Sequence, residues 1–294
     1  MKPAPFVHHA PRTVGEAAAV LEQVGHDGKV LAGGQSLIPL LNMRLASPAH
    51  LVDINAVAGL DGIVVSDEAV RVGALVRHAG LARSEEAYAA LPLLRQATLN
   101  VAHPAIRNRG TTVGSIAHAD PAGEMPAVLA LCDGVVEAVS TGGRREICWR
   151  DFFSGPLETT LQADELAVGA RFGRLPAGTR TAFKESARRH GDYALAGVAV
   201  MVTVADGVVS AARASFVSVT DVPSVLDLSP MLAGTEPRSA SWGAAVGSAA
   251  AAVGDHVQPE SDIHATSDYR RMLVAELTRR VLDETVPAAE GDRR

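Results

Sequence analysis

The chain has 294 residues, of which 47% are hydrophobic and 20% carry a charged side chain, and its formal net charge is -6. A chain of this size and composition can bury a substantial core and suits two or three modest domains. Its acidic balance excludes a large basic surface of the kind that drives non-specific nucleic-acid binding. We therefore expect an ordinary globular protein with no nucleic-acid partner.

The sequence carries no pattern typical of export, membrane insertion or metal binding. Residues 1–6 contain no apolar signal-peptide core, and no stretch approaches the roughly 18 apolar residues of a membrane span. We therefore expect a cytoplasmic location. Cys132 and Cys148 are the only cysteines and form no C-x-x-C pair, and the ten histidines show no H-E-x-x-H spacing. We assign no metal site, and any iron-sulfur cluster must lie on a partner chain.

Residues 1–55 alternate between strand and helix patterns, which predicts a compact α/β unit. A capping box at residues 13–16 starts a helix that Gly25 ends. A short strand pattern at residues 30–32 then leads through a glycine-rich turn into a second helix pattern, and residues 51–54 predict another strand. The apolar positions of this second helix are Leu37, Leu40, Leu41 and Leu45.

Residues 56–176 predict a mixed α+β unit, because short strand patterns are interleaved with helix patterns. The strands are expected at residues 63–65, 69–72 and 135–139, and the helices near residues 81–99 and 124–132. The stretch 175–179 is the best linker, since Pro176 and Gly178 interrupt the pattern there.

Residues 177–287 predict a three-stranded antiparallel sheet followed by helices. The strands are expected near residues 182–188, 195–204 and 208–219, with a hairpin turn at Asp206-Gly207. Helices are expected at residues 241–253 and from Asp268 onward, where one face carries Met272, Leu273, Leu277 and Val281. Residues 288–294 are predicted to be a disordered tail.

The turn Ala32-Gly33-Gly34-Gln35-Ser36-Leu37 has the composition of a phosphate-binding loop. The two phosphates of a dinucleotide need backbone N–H groups at close range, and residues without a Cβ at the start of a helix allow that approach. The same composition also suits an ordinary strand-to-helix turn that uses glycine only for its geometry. This turn alone leaves both interpretations open.

A second stretch, residues 107–121, is rich in small and hydroxyl-bearing side chains and ends in Asp120-Pro121. It offers more donors than a plain connector does, and its composition suits a diphosphate and a sugar. A solvated loop in which Asp120 simply starts the next helix is the alternative. No G-x-G-x-x-G follows a strand and no G-x-x-x-x-G-K-[ST] occurs, so a Rossmann or P-loop site is disfavoured.

Several motifs in one order give a more specific signal than either loop. They are A-G-G-Q-S-L at residues 32–37, V-A-H-P-A-I-R-N-R-G-T at 101–111, A-H-A-D-P at 117–121, R-R-H-G-D-Y-A-L at 188–195 and S-D-I-H at 261–264. With these motifs the chain resembles the FAD-binding medium subunits of molybdenum hydroxylases, such as the flavin subunits of carbon monoxide, quinoline, nicotine and caffeine dehydrogenases. The resemblance covers almost the whole chain.

The resemblance implies an α+β, vanillyl-alcohol-oxidase-like (PCMH-type) fold, in which two α/β subdomains bind FAD and a C-terminal domain covers the flavin. It implies that residues 32–36 and 111–115 contact the diphosphate and that Asp120 contacts a ribityl or ribose hydroxyl. The full set of expected FAD contacts is Ala32, Gly33, Gly34, Gln35, Ser36, Leu37, Ala102, Thr111, Thr112, Gly114, Ser115, Ala117, His118, Asp120, Lys184 and Tyr193.

The chain departs from the family at one position of the second loop. The family usually shows T-[ILV]-G-G-[NS], whereas Val113 stands here in place of the first glycine. A β-branched residue resists positive φ. We therefore expect this loop to bind through Gly114 and Ser115.

Two residues of the C-terminal half are candidate flavin contacts. The resemblance places an aromatic at Tyr193 beside the isoalloxazine, whereas the residues alone favour an aromatic that fills a strand start. Lys184 lies on a predicted strand, where its charge would balance a phosphate or reduced flavin or would simply face solvent.

Three functions are compatible with these motifs. The first is an electron-transfer subunit that takes electrons from [2Fe-2S] centres of a small subunit, beside a large molybdopterin subunit, in a dimer of heterotrimers. It needs no acid, base or nucleophile for an organic substrate, and the chain offers no such constellation. The alternatives are a self-sufficient FAD-dependent oxidase or reductase of the same fold and a non-catalytic nucleotide-binding protein.

Overall fold

The computed structural model describes residues 1–286, so the tail predicted at residues 288–294 lies outside the described residues. The first unit is built on a three-stranded parallel sheet in the order β1-β3-β2. Its elements are β1 (Val7–His9), α1 (Val14–Val24), β2 (Gly28–Leu31), α2 (Leu37–Met43) and β3 (His50–Asp53). The predicted strands and helices are present, and β1 is an addition. Polar histidines occupy two of its three positions, so its sequence carries no strand pattern.

The capping box predicted at the start of α1 forms in modified geometry. Thr13 Oγ1 accepts a hydrogen bond from the Glu16 amide at 3.1 Å. The Glu16 carboxylate accepts from the Arg12 amide at 2.7 Å, one residue before the position that the motif predicts. The backbone amides of Arg12 and Glu16 both therefore have a hydrogen-bond acceptor.

Replacing Thr13 with alanine is expected to cost about 1 kcal/mol of unfolding free energy, because the Glu16 amide loses its acceptor. Urea denaturation of the full chain measures this loss. Ser241→Ala is the matched control, since Ser241 holds the equivalent position at another helix without making a side-chain cap. Equal losses in the two variants would contradict the role of the cap.

Leu45 does not extend the apolar face of α2, contrary to the prediction. The helix ends at Met43 because Arg44 adopts a left-handed conformation with φ 58°. Leu45 consequently lies outside the helix and is 71% exposed.

The second unit contains a five-stranded antiparallel sheet in the order β4-β5-β10-β6-β7 and a separate two-stranded sheet of β8 and β9. The strands are β4 (Ile63–Val65), β5 (Ala69–Gly73), β6 (Val135–Ser140), β7 (Gly143–Cys148), β8 (Phe153–Gly155), β9 (Glu158–Thr159) and β10 (Leu166–Gly173). The helices are α3 (His78–Arg83), α4 (Glu85–Ala90), α5 (Pro92–Thr98), α6 (Pro104–Arg107), α7 (Thr112–His118), α8 (Glu124–Leu131) and α9 (Trp149–Phe152).

The central strand of this sheet, β10, is absent from the prediction. Its first five residues are all buried, so the strand shows no alternation of apolar and polar residues. Its sequence is also rich in alanine and glycine, which are poor strand formers. Neither sequence signal for a strand is therefore available.

The third unit is a four-stranded antiparallel sheet in the order β11-β12-β13-β14, covered by helices on one face. Its elements are β11 (Thr179–Ala187), β12 (Ala194–Ala205), β13 (Val208–Val217), β14 (Val225–Asp227), α10 (Ser229–Leu232), α11 (Trp242–His256) and α12 (Ser267–Glu284). The sheet has one strand more than predicted, because the short β14 pairs with β13. The hairpin turn is confirmed, with φ 52° at Asp206 and 81° at Gly207.

The predicted apolar face of α12 is partly wrong. Leu277 and Val281 are buried, whereas Met272 is 59% exposed. The buried face runs instead through Arg270, Val274, Leu277, Thr278, Val281 and Leu282.

The sheet of the third unit separates two hydrophobic cores. Phe183 of β11 packs into the core shared with the first two units, and its neighbour Ala182 packs into the core against α11 and α12. Alternate side chains of β11 therefore face different partners. β10 ends at Gly173 and β11 begins at Thr179, and the domain boundaries at 55/56 and 176/177 remain predictions. Within residues 1–286, no helix has both the length and the apolar character needed to cross a bilayer.

Candidate cofactor site

The first predicted loop leaves a row of backbone donors free. Gly34 has φ 73°, a conformation that favours glycine, and the Gln35 side chain turns back to donate to the Gly33 carbonyl at 3.0 Å. The amides of Gly34, Gln35 and Ser36 donate to no acceptor within residues 1–286. Consecutive free N–H groups of this kind form an anion-binding site.

The two predicted loops, residues 32–37 (the first segment) and 107–121 (the second segment), meet at Gly33. A Cβ placed on Gly33 would lie 2.5 Å from the Arg109 carbonyl oxygen and 2.7 Å from the Gly110 Cα. Only a residue without a side chain allows the two stretches of backbone to approach so closely. The first segment and the beginning of the second are therefore in direct contact.

A cleft of about 380 Å³ opens beside this contact. Residues 32–35 of the first segment and Arg109 of the second line it, together with the adjacent Leu31 and Ile106. Its remaining lining residues are Ile38, Pro39, Asp53 and Asn55. The Thr111–Ser115 stretch, expected at the same diphosphate, does not line this cleft.

The second segment is not the long loop that the composition predicts. Residues 112–118 form α7, and Thr111 caps this helix by accepting a hydrogen bond from the Gly114 amide at 3.0 Å. Thr112 is completely buried and its hydroxyl bonds the His78 ring at 3.4 Å. The hydroxyls of these two threonines therefore make hydrogen bonds within the protein that stabilise the fold.

Val113 fits this helix without strain. It does not adopt positive φ, and its side chain is 2% exposed in the core. A helical residue needs no conformational freedom of the glycine type. The replacement of the usual glycine by valine consequently leaves the backbone of this segment intact.

The remaining candidates on α7 share one face of the helix. Gly114, Ser115, Ala117 and His118 are half-buried, and their spacing places them side by side. Small side chains on this face let a ligand lie close to the helix. Since α7 has seven residues, this face extends for about 10 Å.

Asp120 and Tyr193 come together beyond the end of α7. The Asp120 carboxylate accepts from the Ala122 amide at 2.9 Å. Partial burial raises the pKa of Tyr193, and the Asp120 and Glu124 carboxylates raise it further. The Tyr193 side chain is 69% exposed overall, so much of its surface remains open to a planar ligand.

Ala102 belongs to the same neighbourhood. It adopts φ 41°, and Arg107 supports this strained segment by donating to the carbonyls of Val101 and Ala102 at 2.8 and 2.9 Å. The next residue, His103, packs so closely on Gly191 that a Cβ there would lie 2.2 Å from the ring. The segment with Ala102 therefore adjoins the turn that carries Tyr193.

Lys184 is placed away from these residues. It forms an ion pair with Glu284 of α12, on the face of the β11 sheet that packs against the helices. Phe183 and Glu185 face the second unit instead. The predicted charge-balancing contact of Lys184 with the cofactor is not supported by this position.

Sequence reasoning missed two buried acids, Glu124 beside Tyr193 and Glu185 beside Glu124. Burial is the main cause that raises the pKa of Glu124 to about 7, and burial together with the nearby Glu124 charge raises that of Glu185 to about 8. The Glu185 Oε2 atom is buried without a hydrogen-bond partner within residues 1–286. No sequence signal reveals such a pair, because the two residues lie on different elements 61 positions apart.

Comparison with known families identifies two matching regions. Residues 4–172 match the FAD binding domain in molybdopterin dehydrogenase, and residues 181–285 match the CO dehydrogenase flavoprotein C-terminal domain. The chain is 40% identical to the nicotine 6-hydroxylase medium subunit of Paenarthrobacter nicotinovorans over 95% of this chain and 97% of that protein. It is 35% identical to the carbon monoxide dehydrogenase medium chain of Hydrogenophaga pseudoflava over 96% and 98%.

Solved structures agree with these relatives. The carbon monoxide dehydrogenase structure from Hydrogenophaga pseudoflava matches with a TM-score of 0.90 and 35% identity, over 97% of this chain and 98% of that one. Quinoline 2-oxidoreductase from Pseudomonas putida 86 matches with a TM-score of 0.90 and 34% identity, over 97% and 98%. The predicted α+β, PCMH-type FAD-binding fold is thereby confirmed. The chain belongs to the family of FAD-binding medium subunits of molybdenum hydroxylases and is the flavin-carrying subunit of an oxidoreductase.

Proposed function

We propose that the diphosphate of FAD binds at the free amides of Gly34, Gln35 and Ser36, beside the contact between Gly33 and Arg109. The observation that carries this assignment is the row of N–H groups at Gly34, Gln35 and Ser36 that have no partner within residues 1–286, of which the first two belong to residues lining the cleft. An anion gains charge-assisted hydrogen bonds there without any displacement of protein groups. The Arg109 side chain adds a positive charge at the rim.

The outward face of α7, together with Asp120 and Tyr193 beyond its end, would hold the rest of the cofactor. Gly114, Ser115, Ala117 and His118 form this face, and the segment with Ala102 adjoins the turn that carries Tyr193. Leu37 begins α2 at the end of the first segment, and Ala32 lies at the beginning of that segment. Asp120 would accept hydrogen bonds from sugar or ribityl hydroxyls, and Tyr193 would pack its ring beside the flavin. Bound FAD supplies the ability to accept two electrons together and to release them to an oxidant.

The chain works in this proposal as an electron-transfer subunit. Its expected partners are a small subunit with [2Fe-2S] centres and a large molybdopterin subunit, assembled as a dimer of heterotrimers in the cytoplasm. The names of its relatives support this arrangement, because they describe a medium subunit of nicotine 6-hydroxylase and a subunit of a 6-hydroxypseudooxynicotine dehydrogenase complex. Substrate selection then belongs to another polypeptide.

Purification of the native assembly tests this function. We expect the chain to copurify with a small and a large partner, with FAD, iron and molybdenum all present, and the isolated chain to bind FAD without oxidising an organic substrate. Turnover by the isolated chain would favour the self-sufficient flavin enzyme. A chain that stays colourless after incubation with FAD would favour the nucleotide-binding protein.

A further inference from the structure

Two side chains outside every recognised motif connect the two cofactor-binding segments. Asn55 Nδ2 donates to the Ala32 carbonyl at 2.9 Å, and Asn55 Oδ1 accepts from Arg77 Nη2 at 2.6 Å. Arg77 Nη1 then donates to the Arg109 carbonyl at 2.5 Å. These three hydrogen bonds, here named the Asn55–Arg77 bridge, run without a break from the first segment to the second.

Both ends of the bridge are fixed to the surrounding fold. Asp53 Oδ1 accepts from the Asn55 backbone amide at 3.0 Å and from its side-chain amide at 2.6 Å, which sets the orientation of Asn55. Arg77 forms an isolated antiparallel β-bridge with Thr111, and the His78 amide donates to the Gly110 carbonyl at 3.0 Å. The bridge is therefore anchored on β3 at one end and on the second segment at the other.

The bridge fixes the direction of the Gly33 amide, which precedes the free amides of Gly34, Gln35 and Ser36. In a planar trans peptide the C=O and N–H groups point in opposite directions. Because Asn55 holds the Ala32 carbonyl, the N–H group of Gly33 is turned the other way. The same bridge sets the distance of this peptide from Arg109, against which Gly33 packs.

We infer that Asn55 and Arg77 are positioning residues that hold the two segments in the arrangement required by the FAD diphosphate. This inference rests on the proposed function of the cleft. Asn55 borders the cleft, but its amide group is already engaged with Ala32 and Arg77. Both terminal nitrogens of Arg77 donate within the bridge, so Arg77 acts through Asn55 and Arg109.

A double-mutant cycle on the full chain tests the bridge. FAD affinity is measured by fluorescence titration for the wild type, Asn55→Ala, Arg77→Ala and the double variant. Each single substitution is expected to weaken FAD binding about 10- to 100-fold, and the double variant is expected to match the weaker single one within about threefold, because either change opens the same chain of bonds. The melting temperature without FAD is expected to change by less than about 3 °C.

Two further variants separate positioning from charge and from folding. Arg77→Lys keeps the positive charge but has one ammonium group in place of the fork, so it is expected to remain about as weak as Arg77→Ala. Asn55→Asp keeps the side-chain volume but places an acceptor against the Ala32 carbonyl, and it is expected to lose affinity as well. These variants decide the matter if an alanine variant fails to fold. Arg95→Ala is the matched control, since Arg95 also donates to a backbone carbonyl, that of Ser84, outside the cleft.

Unchanged FAD affinity in the single variants would overturn the inference, and so would a double variant whose loss equals the product of the single losses. Restored affinity in Arg77→Lys would replace positioning by simple charge attraction. If the wild-type chain does not bind FAD, the proposed function fails instead. The two failures are thus distinguishable.

Discussion

Replacing Gly33 with alanine is expected to weaken FAD binding by about 100-fold or more. The added methyl group would lie 2.5 Å from the Arg109 carbonyl oxygen and 2.7 Å from the Gly110 Cα, and backbone at this distance has to move. The two segments then separate at the point where the diphosphate is proposed to bind. Equilibrium titration of the full chain with FAD measures the loss.

A substitution at Gly34 tests the same diphosphate site in a different way. Gly34→Val combines the strain of φ 73° with contacts to Ile38 and Leu31 near 3.1 Å, and its side chain borders the free amides. We expect the Gly33→Val, Gly34→Val double variant to retain no FAD while the fold stays largely intact. The two substitutions act for different reasons. A side chain at residue 33 would meet the backbone of Arg109 and Gly110, whereas a side chain at residue 34 would be strained and would border the free amides.

Matched glycine variants separate these effects from general destabilisation. Gly207→Ala introduces similar strain at φ 81° in the β12–β13 turn, and Gly80→Ala adds a methyl group with nothing within 4 Å. Both controls are expected to keep wild-type FAD affinity. If Gly33→Ala binds FAD as tightly as these controls do, the diphosphate does not lie at this contact.

The second large effect is a loss of stability with rising pH that originates at Glu124 and Glu185. Their folded pKa values are about 7 and about 8, both raised from 4.5 chiefly by burial, with Asp120 also raising the pKa of Glu124 and Arg107 lowering it. A carboxyl group with a raised folded pKa binds more protons in the folded state than in the unfolded state. Its stabilising contribution is complete below pH 4.5 and is lost as the pH rises toward 8.

His78 acts in the opposite direction at lower pH. Burial lowers its pKa from 6.5 to about 4, so its contribution increases as the pH rises from 4 to 6.5. The two carboxyl groups therefore dominate between pH 6.5 and 8. We expect the FAD-free full chain to lose about 1 to 3 kcal/mol of unfolding free energy across this interval, measured by urea denaturation.

Glu185→Gln is expected to remove much of this pH dependence and to be more stable than the wild type at pH 8, since a neutral amide needs no proton when buried. Glu86→Gln, an exposed carboxylate on α4, is the control and should leave the wild-type pH dependence unchanged. A wild-type stability that is constant or increases from pH 6.5 to 8 would contradict the assignment.

Local motifs in the sequence predict the first segment well, because its signal is contained in consecutive residues. A strand, two glycines and a helix start at residues 28–43 form as expected. Contacts between distant segments carry no comparable signal. Asn55 and Arg77 lie 22 positions apart, and nothing in either residue type indicates that their side chains bond each other.

The second segment shows how composition can mislead. Glycine, serine and threonine at residues 110–115 are typical of a loop, yet the stretch from Thr112 forms a helix. The Thr111 cap and the buried residues Val113 and Ile116 stabilise it through contacts that outweigh the low helix propensity. The face on which Lys184 lies is likewise not predictable from the sequence, since the period of a strand defines two faces without indicating which one meets the cofactor.

The central claim is that main-chain donors of the first segment hold the diphosphate at the place where Gly33 contacts the second segment. A structure of the FAD-loaded full chain, at a resolution that shows the phosphate oxygens, tests it most directly. The account predicts phosphate oxygens within hydrogen-bond distance, about 3 Å, of the Gly34, Gln35 and Ser36 amides, with the remainder of FAD against the outward face of α7. A diphosphate bound elsewhere, with those three amides facing only water, would contradict it.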